Sequence, residues 1–254
     1  MAAAAKDWDA ASYQRISLPH EEWANLLLAR LAPSPDEVVL DAGCGTGRVT
    51  TKLVEALPDG RVIAVDGSPA MVEKVREVIR PTDEAFVADL TALELPEPVD
   101  AIVSSAVFHW IPDHDALFAR MRAALKPGGR MEAQCGGEGN LDAFRTVSGE
   151  VAAREPYAAH LEAAGFEEPW YYAGVPETEE RLRMAHFIAS DVSLQPWDVT
   201  PPDARAFMRT LIVKPHIDAL PAELHERFLD DVLAVTGEPL TIRYVRLNIS
   251  ATAA

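Results

Sequence analysis

The sequence predicts an α/β fold: a doubly wound, mostly parallel sheet with helices on both faces and a helical cap added late in the chain. Three observations predict it. Apolar runs alternate with helix-period patterns over residues 38–134, as a parallel sheet with crossover helices requires. A glycine cluster, Gly43-Cys-Gly-Thr-Gly47, joins the first apolar run to the first helix of that series. After Gly139 the alternation gives way to successive helical stripes, followed by a late strand candidate.

In chain order, residues 1–35 read as an N-terminal helical lid, with one or two helices over residues 8–31 carrying Trp8, Tyr13 and Trp23. Val38-Val-Leu-Asp-Ala is a buried strand, and Val49, Leu53 and Leu57 mark the helix after the glycines by their four-residue spacing. Arg61-Val-Ile-Ala-Val-Asp66 is the second strand; Ser68 caps the next helix with Pro69 at its first position, a favoured pairing at a helix start, and Met71, Val72, Val75, Val78 and Ile79 form its apolar stripe. Phe86-Val-Ala-Asp89 is a short third strand and Asp100-Ala-Ile-Val-Ser-Ser a fourth, before a helix over residues 115–125 that Asp113 is placed to cap. Lys126-Pro-Gly-Gly129 stops that helix and Arg130-Met-Glu-Ala-Gln-Cys135 is a fifth strand. Residues 36–137 thus form the strand–helix half of the chain, whose glycine loop makes it the expected cofactor-binding half. Segments 138–175 and 197–239 are expected to be cap insertions, and 176–196 with 240–254 to return to the core as a final helix and strands, all within one domain, 1–254.

Composition narrows the partners. The 254 residues are 48% hydrophobic and 25% charged, with a net charge of −17; this is ample for a full core. A field of that sign disfavours nucleic acid and anionic membranes or simply keeps the protein in solution; the chain is expected to be a monomer or homodimer. Cys44 and Cys135 have no zinc-site spacing and make no disulfide framework. The start lacks the basic and apolar regions of a secretory signal, and no apolar run approaches the ~18 residues of a membrane span. A cytoplasmic location is expected.

The glycine loop carries the first chemical information. Alternate glycines let a ligand approach the backbone closely, and the helix N-terminus beyond presents free N–H groups. Counting from Gly43, a dinucleotide fingerprint needs glycine where Arg48 stands, and a phosphate loop needs Lys-Ser/Thr after Gly47, which is followed by Arg-Val. Both phosphate readings fail. Asp41, just before the glycines, suits a cationic amine or sulfonium better than a pyrophosphate. Asp66, ending the second strand, faces the ribose position of such sheets or caps the Ser68-Pro69 turn. Asp89 either accepts the exocyclic amine of adenine, with Ala88 and Leu90 bracketing the ring, or caps a turn.

Val39-Leu-Asp-Ala-Gly-Cys-Gly-Thr-Gly47, Val65-Asp-Gly-Ser68 with Met71 behind it, Ala88-Asp-Leu90 and Leu125-Lys-Pro-Gly-Gly129 together resemble the ordered motifs of class I S-adenosylmethionine-dependent methyltransferases. The resemblance implies a Rossmann-like, seven-stranded sheet whose last strand pair is antiparallel. It also implies S-adenosylmethionine as cofactor. Gly43, Gly45 and Gly47 would shape the loop around the methionine moiety near Asp41. Asp66, with Gly67, would hold the ribose; Met71 would pack on adenine; and Ala88, Asp89 and Leu90 would meet its edge. Ser105 to Val107 would pass beside the sulfonium.

Phe108-His-Trp-Ile-Pro-Asp-His114, the early Trp8 and Tyr13, and Tyr244-Val-Arg-Leu-Asn248 are similar to the trans-aconitate methyltransferase-like group, which methylates small carboxylic acids. That group tends to carry Gln where this chain has His109. Methyl transfer from a sulfonium needs alignment above all, and positioning can supply an effective molarity of roughly 10^5–10^8 M. A carboxylate acceptor needs no general base. His109 is the candidate catalytic residue, as base or substrate anchor, with a loop hydrogen bond or cofactor contact as its other readings. Trp110 is a candidate aromatic wall for the substrate, and Tyr13 a candidate lid contact. Arg15, His20, Lys214 and His216 could meet an acidic substrate or simply face solvent. His109, Asp113 and His114 lack the spacing of a metal site, and no metal is expected. O-methylation of a carboxylate leads; N-, C- or phenol O-methylation and a non-catalytic S-adenosylmethionine-binding role stand behind it.

Overall fold

The computed structural model describes residues 18–236 and 240–254. Trp8, Tyr13 and Arg15 lie outside the described residues, as does the side chain of His20.

Seven strands form one sheet in the order β3-β2-β1-β4-β5-β7-β6. They are β1 Val38–Ala42, β2 Arg61–Asp66, β3 Glu84–Val87, β4 Val99–Ser105, β5 Leu125–Gly136, β6 Phe187–Val199 and β7 Ile242–Ala253. β1 pairs in parallel with β2 and β4, β2 with β3, and β4 with β5, whereas β7 runs antiparallel to β5. The antiparallel end expected from the sequence is therefore present. Order reverses at β1, between β2 and β4, so the crevice at the carboxyl ends of these strands is the ligand-binding switch point of an open α/β sheet.

Alternation along the strands divides the core into two faces. Val39, Val62, Ala101 and Val103 pack with Ala24, Leu27 and Leu31 of α1 (Leu18–Leu31) and with Val49 and Leu53 of α2 (Arg48–Ala56). Leu40, Ile63, Val65 and Ile102 point the other way, toward Leu117, Phe118 and Met121 of α4 (His114–Ala124). The described part of the expected N-terminal lid, α1, is thus a core helix. Its C-terminal carbonyl Leu31 accepts from Arg130 Nε at 2.8 Å, and the same guanidinium holds Glu37 through two 2.8 Å bonds.

Three boundaries differ from the sequence reading. β3 begins and ends two residues earlier, because its register opens with Ile63 opposite Glu84; Ala88 and Asp89 consequently lie in the loop beyond the strand. α3 (Pro69–Val75) stops before Val78 and Ile79, where the chain tightens into bonds such as Val78 N–H to the Val75 carbonyl. Lys126-Pro-Gly-Gly129 does not simply end a helix. It lies within β5 as a bulge: Val99 faces Leu125 but Ala101 faces Arg130, with Gly128 at φ +74° making the left-handed turn a bulge needs.

The chain divides into two compact units, Met1–Glu138 with Tyr171–Gln195 and Arg246–Ala254, and Gly139–Trp170 with Pro196–Val245. The second contains α5 (Asp142–Ala152), α6 (Tyr157–Ala163), α8 (Ala204–Phe207), α9 (Lys214–Ala219) and α10 (His225–Thr236), while α7 (Val175–Met184) belongs to the first. Tyr157 meets Phe228 edge-on at 5.0 Å and donates its hydroxyl to Asp231 at 2.6 Å, locking α6 to α10. No described helix is long and apolar enough to cross a membrane.

Candidate active site

Gly43, Gly45 and Gly47 all take positive φ, at +84°, +52° and +91°, where a side chain would be strained. Their surroundings differ. A Cβ on Gly43 would fall 2.2 Å from Val107 Cγ2, and one on Gly47 would fall 2.8 Å from Val78 Cγ2, but a Cβ on Gly45 would meet nothing within 4 Å. The first and third glycines allow close packing of the loop against the protein. The second faces open space, on the side a ligand can enter.

Two carboxylates set the electrostatics of this loop. Asp41 is 1% exposed and accepts from Thr50 Oγ1 of α2 at 2.6 Å. Burial, reinforced by nearby Asp66, pushes its pKa up to about 7. Asp66 accepts from Gly45 N–H at 2.9 Å and from Ser68 N–H at 2.8 Å; burial raises its pKa against the pull of these amides. The free N–H groups of a glycine loop ordinarily favour a phosphate, but here Gly45 N–H is turned to Asp66. An added anion would face one buried and one half-buried carboxylate, whereas a cation or a pair of hydroxyl donors would be stabilised by them.

The other predicted residues fall around the same strand ends. Met71 is buried in α3, behind Ser68, whose hydroxyl caps that helix at Met71 N–H. Gly67 is exposed beside Asp66. Ala88 N–H donates to the Asp66 carbonyl at 3.1 Å, joining the two loops, and Leu90 is buried. Asp89 is exposed, and its Oδ1 accepts from both Thr91 N–H at 2.9 Å and Thr91 Oγ1 at 2.7 Å. It therefore does serve as a turn cap.

After Ser105 the chain bends sharply. Ala106 has φ +59° and donates to the Gln134 carbonyl, which carries Val107 back against Gly43. A short 3-10 turn, Phe108–Trp110, follows. His109 is half-buried, and its Nδ1 accepts from Gly136 N–H at the end of β5, at 3.1 Å. The rings of Trp110 and Tyr172 lie 5.2 and 5.9 Å from it, and its carbonyl accepts from Tyr171 N–H at 2.8 Å. His114 is not part of this group: it is buried, with Nε2 3.1 Å from the Phe108 carbonyl, and burial lowers its pKa. Asp113 caps α4 through Ala116 N–H at 2.9 Å. Among the described residues no three His, Cys, Asp or Glu side chains are grouped to hold a metal ion.

Comparison with known proteins agrees with this geometry. A family model described as a methyltransferase domain matches residues 39–129. A trans-aconitate 2-methyltransferase of Acidovorax sp. (strain JS42) is 32% identical over 250 residues, covering 93% of this chain and 92% of that one. The chain belongs to the class I S-adenosylmethionine-dependent methyltransferases. A second trans-aconitate 2-methyltransferase, from Methylobacterium nodulans, is 30% identical over 247 residues, spanning 91% of this chain and 90% of its own. Among solved structures, the YcgJ protein from Bacillus subtilis superposes with a TM-score of 0.65 over 92% of this chain and 99% of its own, at 13% identity. That last likeness bears on fold alone.

As a methyltransferase of this class the chain takes S-adenosylmethionine as cofactor, and the loop chemistry fits that molecule. A buried carboxylate suits an α-ammonium group, and a carboxylate at the end of β2 suits ribose hydroxyls. Sequence reading missed Thr50, Gly136 and Tyr172. Thr50 carries a faint signal, a hydroxyl in the first turn of the helix after the glycines. The link from Gly136 to His109 spans 27 residues and has no sequence signature.

Proposed function

We propose that the methyl group is transferred to a carboxylate oxygen of a small organic acid, and that His109 orients this carboxylate as a hydrogen-bond donor. The observation that carries the reading is the bond from Gly136 N–H to His109 Nδ1. A nitrogen that accepts from an amide holds no proton, so in the neutral ring the proton sits on Nε2. His109 then offers N–H, not a lone pair, at the position beyond β4. An acceptor that must lose a proton gains nothing from such a group, whereas a carboxylate is already ionised at neutral pH and gains a donor that fixes its plane. The names of the relatives, which specify a carboxylic acid, support the same acceptor class.

When bound, S-adenosylmethionine supplies a methyl group already activated by a sulfonium. Asp41 would pair with its α-ammonium, Asp66 with Gly67 would receive its ribose hydroxyls, and Met71, Ala88, Asp89 and Leu90 would enclose the adenine. Gly43, Gly45 and Gly47 would admit the methionine portion, and Ser105 to Val107 would border the sulfur. Trp110 and Tyr172 flank the imidazole and help to keep water from the acceptor. The bound cofactor would supply a methyl group to a carboxylate that is already ionised, so no residue of the chain would need to remove a proton, and the products would be a methyl ester and S-adenosylhomocysteine. The chain contributes mainly by alignment.

Replacement of His109 tests this role. His109→Ala is expected to lower kcat/KM about 10–100-fold, the size of a lost hydrogen bond to a charged group, with little change in cofactor affinity. His109→Gln keeps an N–H donor but cannot act as a base, and is expected to retain most of the activity. A glutamine variant as impaired as the alanine one, with a wild-type rate that rises through the imidazole pKa, would show a general base instead.

A further inference from the structure

Residues 171–174 form neither helix nor strand, yet two consecutive side chains there divide between two histidines. The Tyr172 ring lies 5.9 Å from that of His109, and the Tyr171 ring meets that of His114 edge-on at 5.0 Å. Tyr171 N–H donates to the His109 carbonyl at 2.8 Å. His114 Nε2 lies 3.1 Å from the Phe108 carbonyl; a carbonyl only accepts, so Nε2 carries the proton. Tyr171 thus holds the carbonyl of His109 directly and packs on the side chain that holds the carbonyl of Phe108.

The hydroxyl of Tyr171 is itself fixed from α7. It donates to Glu177 Oε2 at 2.7 Å and accepts from Arg181 Nη1 at 2.8 Å. Arg181 also reaches Glu177 and, on α4, Asp115, each at 3.4 Å. Glu177 Oε1 accepts from Gly174 N–H at 2.8 Å. Burial, then the bond to Glu177, raise the Tyr171 pKa; against burial, the Tyr171 hydroxyl, Gly174 N–H and Arg181 lower that of Glu177. At neutral pH the phenol is therefore the donor and the carboxylate the acceptor. None of these side chains is assigned to cofactor or acceptor.

The bond from Gly136 N–H to His109 Nδ1 joins the end of β5 to the turn after β4. A hydrogen bond weakens steeply as its angle is lost. A three-residue 3-10 turn has poor internal hydrogen-bond geometry, so its place depends on what holds it from outside.

We propose that Tyr171 is a positioning residue for methyl transfer: its hydroxyl, held by Glu177 and Arg181, fixes the turn so that His109 keeps Nδ1 on Gly136 N–H and presents Nε2–H to the acceptor. The proposal rests on the reading of His109 as a hydrogen-bond donor. Tyr171 acts through His109 and touches neither cofactor nor acceptor.

The test is nitrogen NMR of the histidine side chains in the full chain, isotopically labelled and saturated with S-adenosylhomocysteine, in mildly basic buffer where imidazole is neutral. The His109 signals are identified by their loss in His109→Gln. Wild type is expected to show the Nε2–H tautomer. Tyr171→Phe keeps the ring against His114 and the main-chain donor but removes the hydroxyl. Its ratio of Nε2–H to Nδ1–H tautomer is expected to fall about three- to tenfold, the size of one neutral hydrogen bond, with S-adenosylhomocysteine affinity within about twofold by calorimetry. Tyr157→Phe, which removes the hydroxyl bonded to Asp231 in the second unit, should leave these signals unchanged. A wild-type ratio kept in Tyr171→Phe, or an equal change in both tyrosine variants, would overturn the positioning role and leave the donor reading intact. A wild type with its proton on Nδ1 would overturn the donor reading beneath it.

Discussion

Asp41 and Asp66 end adjacent parallel strands, and each is held by a donor from the loop or helix that follows. The consequence can be measured. Asp41, with a pKa of about 7 in the folded chain, has one near ~3.9 when unfolded. Burial therefore favours its protonated form: stability is highest below the unfolded value and declines as pH rises through about 7. Cofactor binding runs the opposite way. If the ionised carboxylate pairs with the α-ammonium, affinity for S-adenosylhomocysteine should fall about tenfold for each pH unit below 7 and level off above it. Asp41→Asn should flatten that profile, and a wild-type profile without slope would remove Asp41 from the ammonium. Asp66→Ala is expected to weaken the same ligand by ~1.5–3 kcal/mol, read by calorimetry; unchanged affinity would detach Asp66 from the ribose. The places of both aspartates at the ends of β1 and β2 were legible in the sequence because each closes an apolar run before a glycine-bearing turn; the capping of the Ser68 turn by Asp66, the other reading of that residue, is present as well. The protonation pattern of His109 was not legible, since it depends on an amide in a different strand.

At the scale of elements, the glycine loop separates structural from ligand-facing demands. Gly43→Ala places a methyl group against Val107 at positive φ, and is expected to cost stability by about 1–3 kcal/mol in chemical denaturation. Gly45→Ala meets no protein atom and should cost only the backbone strain, about 1–2 kcal/mol, yet lose more cofactor affinity than stability. The reverse ranking would mean that the open side of Gly45 does not face the ligand. In the second unit, His216 on α9 is 2% exposed, 4.5 Å from Phe166 and stacked 5.3 Å from Phe228; it is a core residue, not a substrate contact or a solvated one. Burial lowers its pKa to about 4, so it is neutral at pH 7. Stability is fully present above about 6.5 and lost as pH falls toward 4, by roughly 3 kcal/mol. His216→Phe should reduce acid-induced unfolding between those limits, as followed by circular dichroism. Strand and helix periodicity exposed most of these elements in the sequence. The bulge at Lys126-Pro-Gly-Gly129 was hidden because Pro and Gly signal a stop equally well at a helix end and within a strand.

For the whole molecule, the motifs spread over residues 36–135 indicated both the sheet and the cofactor because they are local: each occupies one strand and the turn after it. Acceptor recognition is different in kind. In the reading proposed above it draws on His109 after β4, which Gly136 N–H at the end of β5 holds across 27 residues of chain.

The central claim is that the methyl group ends on a carboxylate oxygen. The most direct measurement is to supply methyl-labelled S-adenosylmethionine and a panel of small organic acids, amines and phenols, and then treat each product with mild base. The account predicts label on the acids alone, released as methanol on hydrolysis of the ester. Label on an amine, a phenol or carbon that survives base would contradict it.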